Sequence, residues 1–317
     1  MPKKHHYVPV TYLRRFADGD GLLWVYRKDD PSRPFRQRPE STGFETHYYS
    51  QVGDDGVRDD SRLEALFSQI ESPWPAIVEA LADRQRVFPT ASSIIPFLAL
   101  MRVRGPAFRD AAEIHLSNVV RVQAQVLNDA GRLPPPPEGH EDLFEKMEIA
   151  IDPHQSLVAM ADALSTIGNF LGALSYDVLH NGTEVPFLTS DNPVMYYDPS
   201  VTDRQMLPYT VRPPQGRVEL LFPLTPEMVL RGRSRPVRTD ISHKPVDELR
   251  TVNRINRLIA RFAYRTVFAI WEGSVRVIKE NAAVSPVPRF DRVPAPGGGY
   301  YSFGQFVFDG RPNKPKW

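Results

Sequence analysis

The chain of 317 residues contains no cysteine, which excludes disulfides, zinc–thiolate sites, iron–sulfur clusters and a cysteine nucleophile. No apolar run approaches the roughly 20 residues needed to cross a bilayer. The first ten residues, MPKKHHYVPV, lack the apolar stretch and cleavage site of a secretory signal, so a soluble cytoplasmic protein with no membrane partner is expected. Several nucleotide and hydrolase signatures are also missing. There is no Walker loop, no G-x-G-x-x-G after a strand, no H-E-x-x-H and no G-x-S-x-G. Dinucleotide oxidoreductases, P-loop NTPases, zincins and α/β-hydrolases are thereby disfavoured.

Proline is plentiful at 31 residues, yet apolar residues make up 41% of the chain, which marks a folded globule rather than a disordered one. The net charge of +1 conceals strong segregation. Residues 1–50 carry a net +3, residues 51–202 a net −12 and residues 203–317 a net +10. Either the acidic middle packs beside the basic last third, or the basic part faces a phosphate-bearing ligand.

Hydrophobic spacing outlines the elements. Residues 22–27 (LLWVYR) read as a strand that residues 34–38 can pair with, and 45–50 as a short extended piece. Ser61 and Glu64 fit a capping box ahead of a helical stripe through Leu63, Leu66, Phe67 and Ile70, which Ile77, Val78 and Leu81 resume. Ser92 or Ser93 opens a more apolar helix that Gly105-Pro106 ends. Helical patterns follow over 107–130 and 155–174, separated by a loop with four consecutive prolines at 134–137. Asp152 is placed to cap the second of them. Residues 176–180 and 184–188 read as a hairpin closed by Asn181-Gly182. Residues 218–222 and 266–271 are further strands. A long helix is expected from about 240 to 265. The last 35 residues, with Gly297, Gly298 and Gly299, read as irregular. The expected fold is α+β, a mainly helical body with small antiparallel sheets, organised as one domain over 1–317 whose residues 273–317 form an irregular extension.

Three segments together resemble a bacterial family known as domain of unknown function 4238. They are His5-His6-Tyr7-Val8-Pro9 with Tyr12, Leu13 and Phe16; residues 186–194 (PFLTSDNPV); and Asn253, Asn256 and Arg257 ahead of an aromatic strand. Arg102 and Arg104 sit where the resemblance implies an arginine. It spans about residues 5–272 and implies homology and a shared site, not a reaction. His-His-x-x-Pro also resembles the first strand of ββα-metal nucleases, although the later residues of that motif have no counterpart here.

Four constellations carry candidate chemistry. Adjacent His5 and His6 on an extended segment point to opposite faces, so one faces inward as a base, a ligand or a packing group. Asp191 and Asn192, after a strand and before Pro193, either bind a metal and position a histidine or close an Asx turn. Arg250, Arg254, Arg257, Arg261 and Arg265 form one helical stripe. That stripe either grips phosphates or is a solvated, acid-paired face, and Asn253 and Asn256 lie beside it. Glu64 and Glu71 share a helix face and are weaker candidates as ligands.

The expected function is metal-assisted phosphodiester hydrolysis of nuclease type. His5, His6, Asp191 and Asn192 would be catalytic. His6 and Asp191 would hold a divalent metal, Mg or Mn. Arg104, Arg254, Arg257, Asn253 and Asn256 would bind substrate. The alternative is a non-enzymatic module for nucleic acid, a nucleotide or a protein. A third reading makes the polar cluster a structural network pinning the N-terminus. The hydrolase reading requires the N-terminal strand to join the sheet of the 181–182 hairpin.

Overall fold

The structure is a computed structural model and describes residues 4–52, 58–59, 62–90, 94–140, 142–210, 216–234, 240–294 and 300–313. Ser61, Ser92, Ser93 and residues 297–299 lie outside them. In chain order the elements are β1 (Lys4–His6), α1 (Val10–Leu13), β2 (Leu23–Arg27), β3 (Asp30–Gln37), β4 (Phe44–Thr46), β5 (Gln51–Val52), β6 (Arg58–Asp59), α2 (Arg62–Glu71), α3 (Trp74–Ala82), α4 (Ile94–Val103), α5 (Pro106–Asp129), α6 (Leu143–Lys146), α7 (Pro153–Gly172), β7 (Ser175–Asn181), β8 (Thr189–Ser190), β9 (Met195–Tyr197), β10 (Glu219–Thr225), β11 (Met228–Arg233), β12 (Ser242–Val246), α8 (Leu249–Phe262), β13 (Thr266–Ala269), α9 (Val275–Glu280), β14 (Ser285–Pro294) and β15 (Tyr300–Asp309).

The fold is α+β, with more sheet than a mainly helical body implies. One sheet has the order β12-β7-β11-β10-β9 and another the order β3-β2-β13-β8, beside the ribbons β1-β4, β5-β6 and β14-β15. The pairing is antiparallel except between β12 and β7. As the spacing predicts, β2 pairs with β3, and Asp152 caps α7 by accepting the His154 N–H at 2.9 Å.

Four local expectations are corrected. Asn181-Gly182 does not close a hairpin, because the Gly182 N–H goes to the carbonyl of Val246 and the Asn181 side chain forms an Asx turn with Thr183. The chain then crosses to the other sheet, where β8 pairs with β13. The segment expected to start the long helix is instead strand β12. Pro245 cannot sit inside a helix but is tolerated in an edge strand. The C-terminal extension is not irregular over its length, since β14 and β15 form a ribbon of ten paired positions. Finally, β1 pairs with β4 and not with the central sheet, His5 standing opposite Glu45 and His6 opposite Phe44.

Two buried apolar clusters organise the body. In one, Trp74 stacks on Phe97 at 3.9 Å beside Tyr12 and Phe222, and every residue of α4 except Pro96 is buried, Arg102 being its one charged side chain. In the other, Val252, Ile255, Leu258, Ile259 and Phe262 of α8 pack with Val229, Val267 and Leu188. That apolar stripe fixes which way the arginines of α8 face.

Candidate functional site

The extended backbone of β1 sends its two imidazoles to opposite sides, as the alternation of strand side chains requires. His5 is fully buried, its Nδ1 accepts the Tyr49 N–H at 2.8 Å, and its Nε2 lies 3.9 Å from Glu64. His6 is partly buried and stands 3.3 Å from the Glu40 carbonyl. Burial lowers its pKa; the Glu40 carbonyl acts against that and Arg104 adds to it. Arg104, in the turn after α4, donates to the Glu71 carboxylate and to the His6 carbonyl, with its guanidinium over Phe67. Its charge is therefore answered from α2.

Asp191 and Asn192 close the end of α8, where the helix leaves backbone groups without partners. Asp191 accepts the Tyr264 N–H at 2.8 Å on one oxygen and the Arg265 N–H at 2.7 Å on the other. Asn192 donates to the Phe262 carbonyl at 2.7 Å and to the Tyr209 hydroxyl at 2.6 Å. Lys28 completes the closure by donating to the carbonyls of Ala260, Ala263 and Val284. Burial lifts the Asp191 carboxyl above its ordinary pKa, opposed by the two N–H groups and Arg265. Burial also brings Lys28 down to about 7, with Asp191 opposing.

The N-terminal ribbon and this turn do approach one another. Arg265 pairs with Glu45, the residue opposite His5, and its backbone N–H is held by Asp191. The imidazoles, however, engage Tyr49, Glu64 and Glu40 and not Asp191. Among the described residues no three His, Asp or Glu side chains gather as metal ligands. Each Asp191 oxygen accepts one backbone N–H, while His6 stands at the Glu40 carbonyl.

The third signature locks onto the second. Asn256, buried, accepts the Leu188 N–H at 2.9 Å and donates to the Pro186 carbonyl at 2.9 Å. The first does likewise: the Tyr12 hydroxyl meets Thr189 Oγ1 at 2.6 Å and donates to the Pro223 carbonyl at 2.8 Å. Asn253 stays exposed. Of the expected substrate residues, Arg104 and Asn256 are thus buried in the framework, while Asn253, Arg254 and Arg257 line surface cavities, one of which Asn256 also borders.

On the outward side of α8 lies a groove of about 580 Å³. Its walls include Arg231, Arg250, Arg254, Arg257, Glu219 and Glu248, and its floor Leu179, Leu221 and Ile255. Arg257 also borders a second cavity of about 440 Å³ with Asn253, Trp271 and Arg276. Trp271 is 41% exposed. The stripe is acid-paired, but the acids are shared. Asp203 serves both Arg254 and Arg257, and its carbonyl accepts from Arg261. Asp177 serves Arg231, Arg233 and Lys244. Glu219 faces Arg254 and Glu248 faces Arg250. Six cationic side chains thus meet four carboxylates, and Arg261 meets a backbone carbonyl. Burial alone would raise the Asp177 carboxyl, but Ser242 and the two arginines hold it near 2. Sequence reading missed Arg231 and Trp271. The alternation of MVLRGR in β11 was the available signal for the first, and the end of the strand at 266–271 for the second.

Residues 4–270 match the model of a family described as protein of unknown function (DUF4238). No curated protein and no solved structure matches the chain.

Proposed function

The chain belongs to the DUF4238 family, and on that footing we propose that it binds a phosphate-bearing ligand, a single-stranded nucleic acid, along the outward face of α8. The observation that carries this reading is the excess of arginine over carboxylate in one groove, four guanidiniums against two carboxylates in its walls. Guanidiniums match phosphate oxygens bidentately and stay charged at any working pH. Across Arg257, exposed Trp271 offers a face on which a base can stack, and Asn253 offers an amide to a base edge. Phosphates in the arginine groove and a base on Trp271 together describe one strand crossing the helix.

Metal-assisted hydrolysis receives less support from the residues first expected to perform it. The oxygens of Asp191 and the amide of Asn192 are committed to backbone partners, and His5 is sealed from solvent. The test is fluorescence anisotropy with labelled single-stranded RNA and DNA. Binding by the wild type, and its loss by at least about tenfold in the Arg254→Ala/Arg257→Ala double variant, is the expected result. Equal binding by both proteins would overturn the assignment. A gel of the same oligonucleotides with Mg²⁺ or Mn²⁺ should show them intact.

A further inference from the structure

The cavity of about 440 Å³ between α8 and α9 holds a different chemistry from the arginine groove. Its volume falls within the span of small-molecule pockets, roughly 300–1,000 Å³. One part of its wall is aromatic. The Trp271 indole lies against Gly273, where an added Cβ would stand 3.1 Å from the nearest ring atom. Glycine is what admits the indole so close to the main chain. That main chain is itself pinned, because the Tyr26 hydroxyl donates to the Glu272 carbonyl at 2.6 Å. An exposed ring backed by fixed backbone is what base stacking requires.

Another part of the wall carries Arg276 and Glu280, one turn apart on α9, with Arg276 Nε 2.9 Å from Glu280 Oε1. Glu280 is the one carboxylate among the residues lining the cavity. Among the described residues, only its Oε1 is engaged. An exposed pair of this kind is held weakly, so the carboxylate can turn to a ligand at little cost. Asn256 has spent its amide on Leu188 and Pro186. The exposed Asn253 amide both donates and accepts, so it can meet any base edge. Discrimination falls to Glu280.

A carboxylate only accepts. Guanine alone among the four bases sets two donors, N1–H and N2–H, side by side on its Watson–Crick edge. Adenine and cytosine set one amino group beside a ring-nitrogen acceptor, and uracil sets one N–H between two carbonyls. Each of those three would turn an acceptor toward the second carboxylate oxygen. A single strand leaves this edge open to a protein. We propose that the cavity takes a guanine base, stacked on Trp271, with its N1–H and N2–H on Glu280 and its O6 toward Arg276. The inference deepens the reading of α8 as a single-strand site and rests on it for the strand; the base pocket can be tested without the groove.

The pocket alone is tested by titrating the protein with guanosine, adenosine, cytidine and uridine 5′-monophosphates while following tryptophan fluorescence. The guanine nucleotide should quench it and bind at least about tenfold more tightly than the other three. Trp271→Ala should abolish the quenching. Glu280→Gln should bring the guanine nucleotide down to the level of the adenine one and leave the latter unchanged. Equal binding of the two purines by the wild type, quenching that survives in Trp271→Ala, or the same preference in Glu280→Gln would overturn the proposal. Labelled single-stranded oligonucleotides, with and without a guanine, separate its failure from that of the groove. Arg250→Ala/Arg254→Ala, neither position bordering this cavity, should weaken both oligonucleotides and keep the guanine preference. Weakening with no guanine preference in either protein removes the pocket and keeps the groove; a guanine preference with no weakening does the reverse.

Discussion

At the scale of single residues, Asp191 and Asp177 show how one residue type serves opposite electrostatic roles. Asp191 is a buried carboxylate whose partners are two backbone N–H groups. Replacing it by Asn leaves one N–H facing an amide NH₂, so Asp191→Asn should cost about 1–3 kcal/mol in urea unfolding. An unchanged midpoint would contradict the clasp role. Asp177, held near 2 by Ser242, Arg231 and Arg233 although burial opposes it, has a folded pKa below its unfolded value of 3.8. Its contribution is therefore whole above about 4 and is lost as pH falls toward 2. Denaturation midpoints measured across that window should fall with acid in the wild type and fall less in Asp177→Asn. Identical pH profiles would refute this role.

At the scale of elements, the account turns on α8, whose buried face holds the framework and whose outward face carries the arginines. Asn256→Ala strips partners from the Leu188 N–H and the Pro186 carbonyl and should cost about 2–4 kcal/mol. Asn253→Ala, one turn earlier and exposed, should leave stability unchanged. Equal effects would mean that the two asparagines are not divided between framework and surface. Much of this helix was legible beforehand, because five apolar positions and Arg250, Arg254, Arg257 and Arg261 repeat at helical spacing; Arg265, expected as the fifth of the stripe, lies beyond the end of α8 and pairs with Glu45 and Asp110. Strands β2, β10 and β13 were legible from their β-branched and aromatic runs. Asn181-Gly182 misled because its turn chemistry is local, whereas the partner of the Gly182 N–H lies at Val246. The prolines of β14 hid a strand for a related reason. Pro286 and Pro288 stand at alternate positions of the ladder, where every second residue needs no N–H toward its partner. The convergence of the three signatures was readable as an expectation; their interlocking through Tyr12, Asn192 and Asn256 needed long-range contacts that no local pattern encodes.

At the scale of the whole molecule, the segregated charge is partly answered internally. Asp177 and Asp110 of the acidic middle meet Arg231, Arg233 and Arg265 of the basic last third. Beside α8, Arg254 and Arg257 share Asp203, and no helix among the described residues is long and apolar enough to cross a membrane. The most direct measurement is the salt dependence of single-stranded oligonucleotide binding. If Arg231, Arg250, Arg254 and Arg257 contact phosphates, log affinity should fall against log salt with a slope of about −3, reduced to about −1.5 in Arg254→Ala/Arg257→Ala. A flat salt response in the wild type, or the same slope in both proteins, would contradict the assignment of this groove to phosphate.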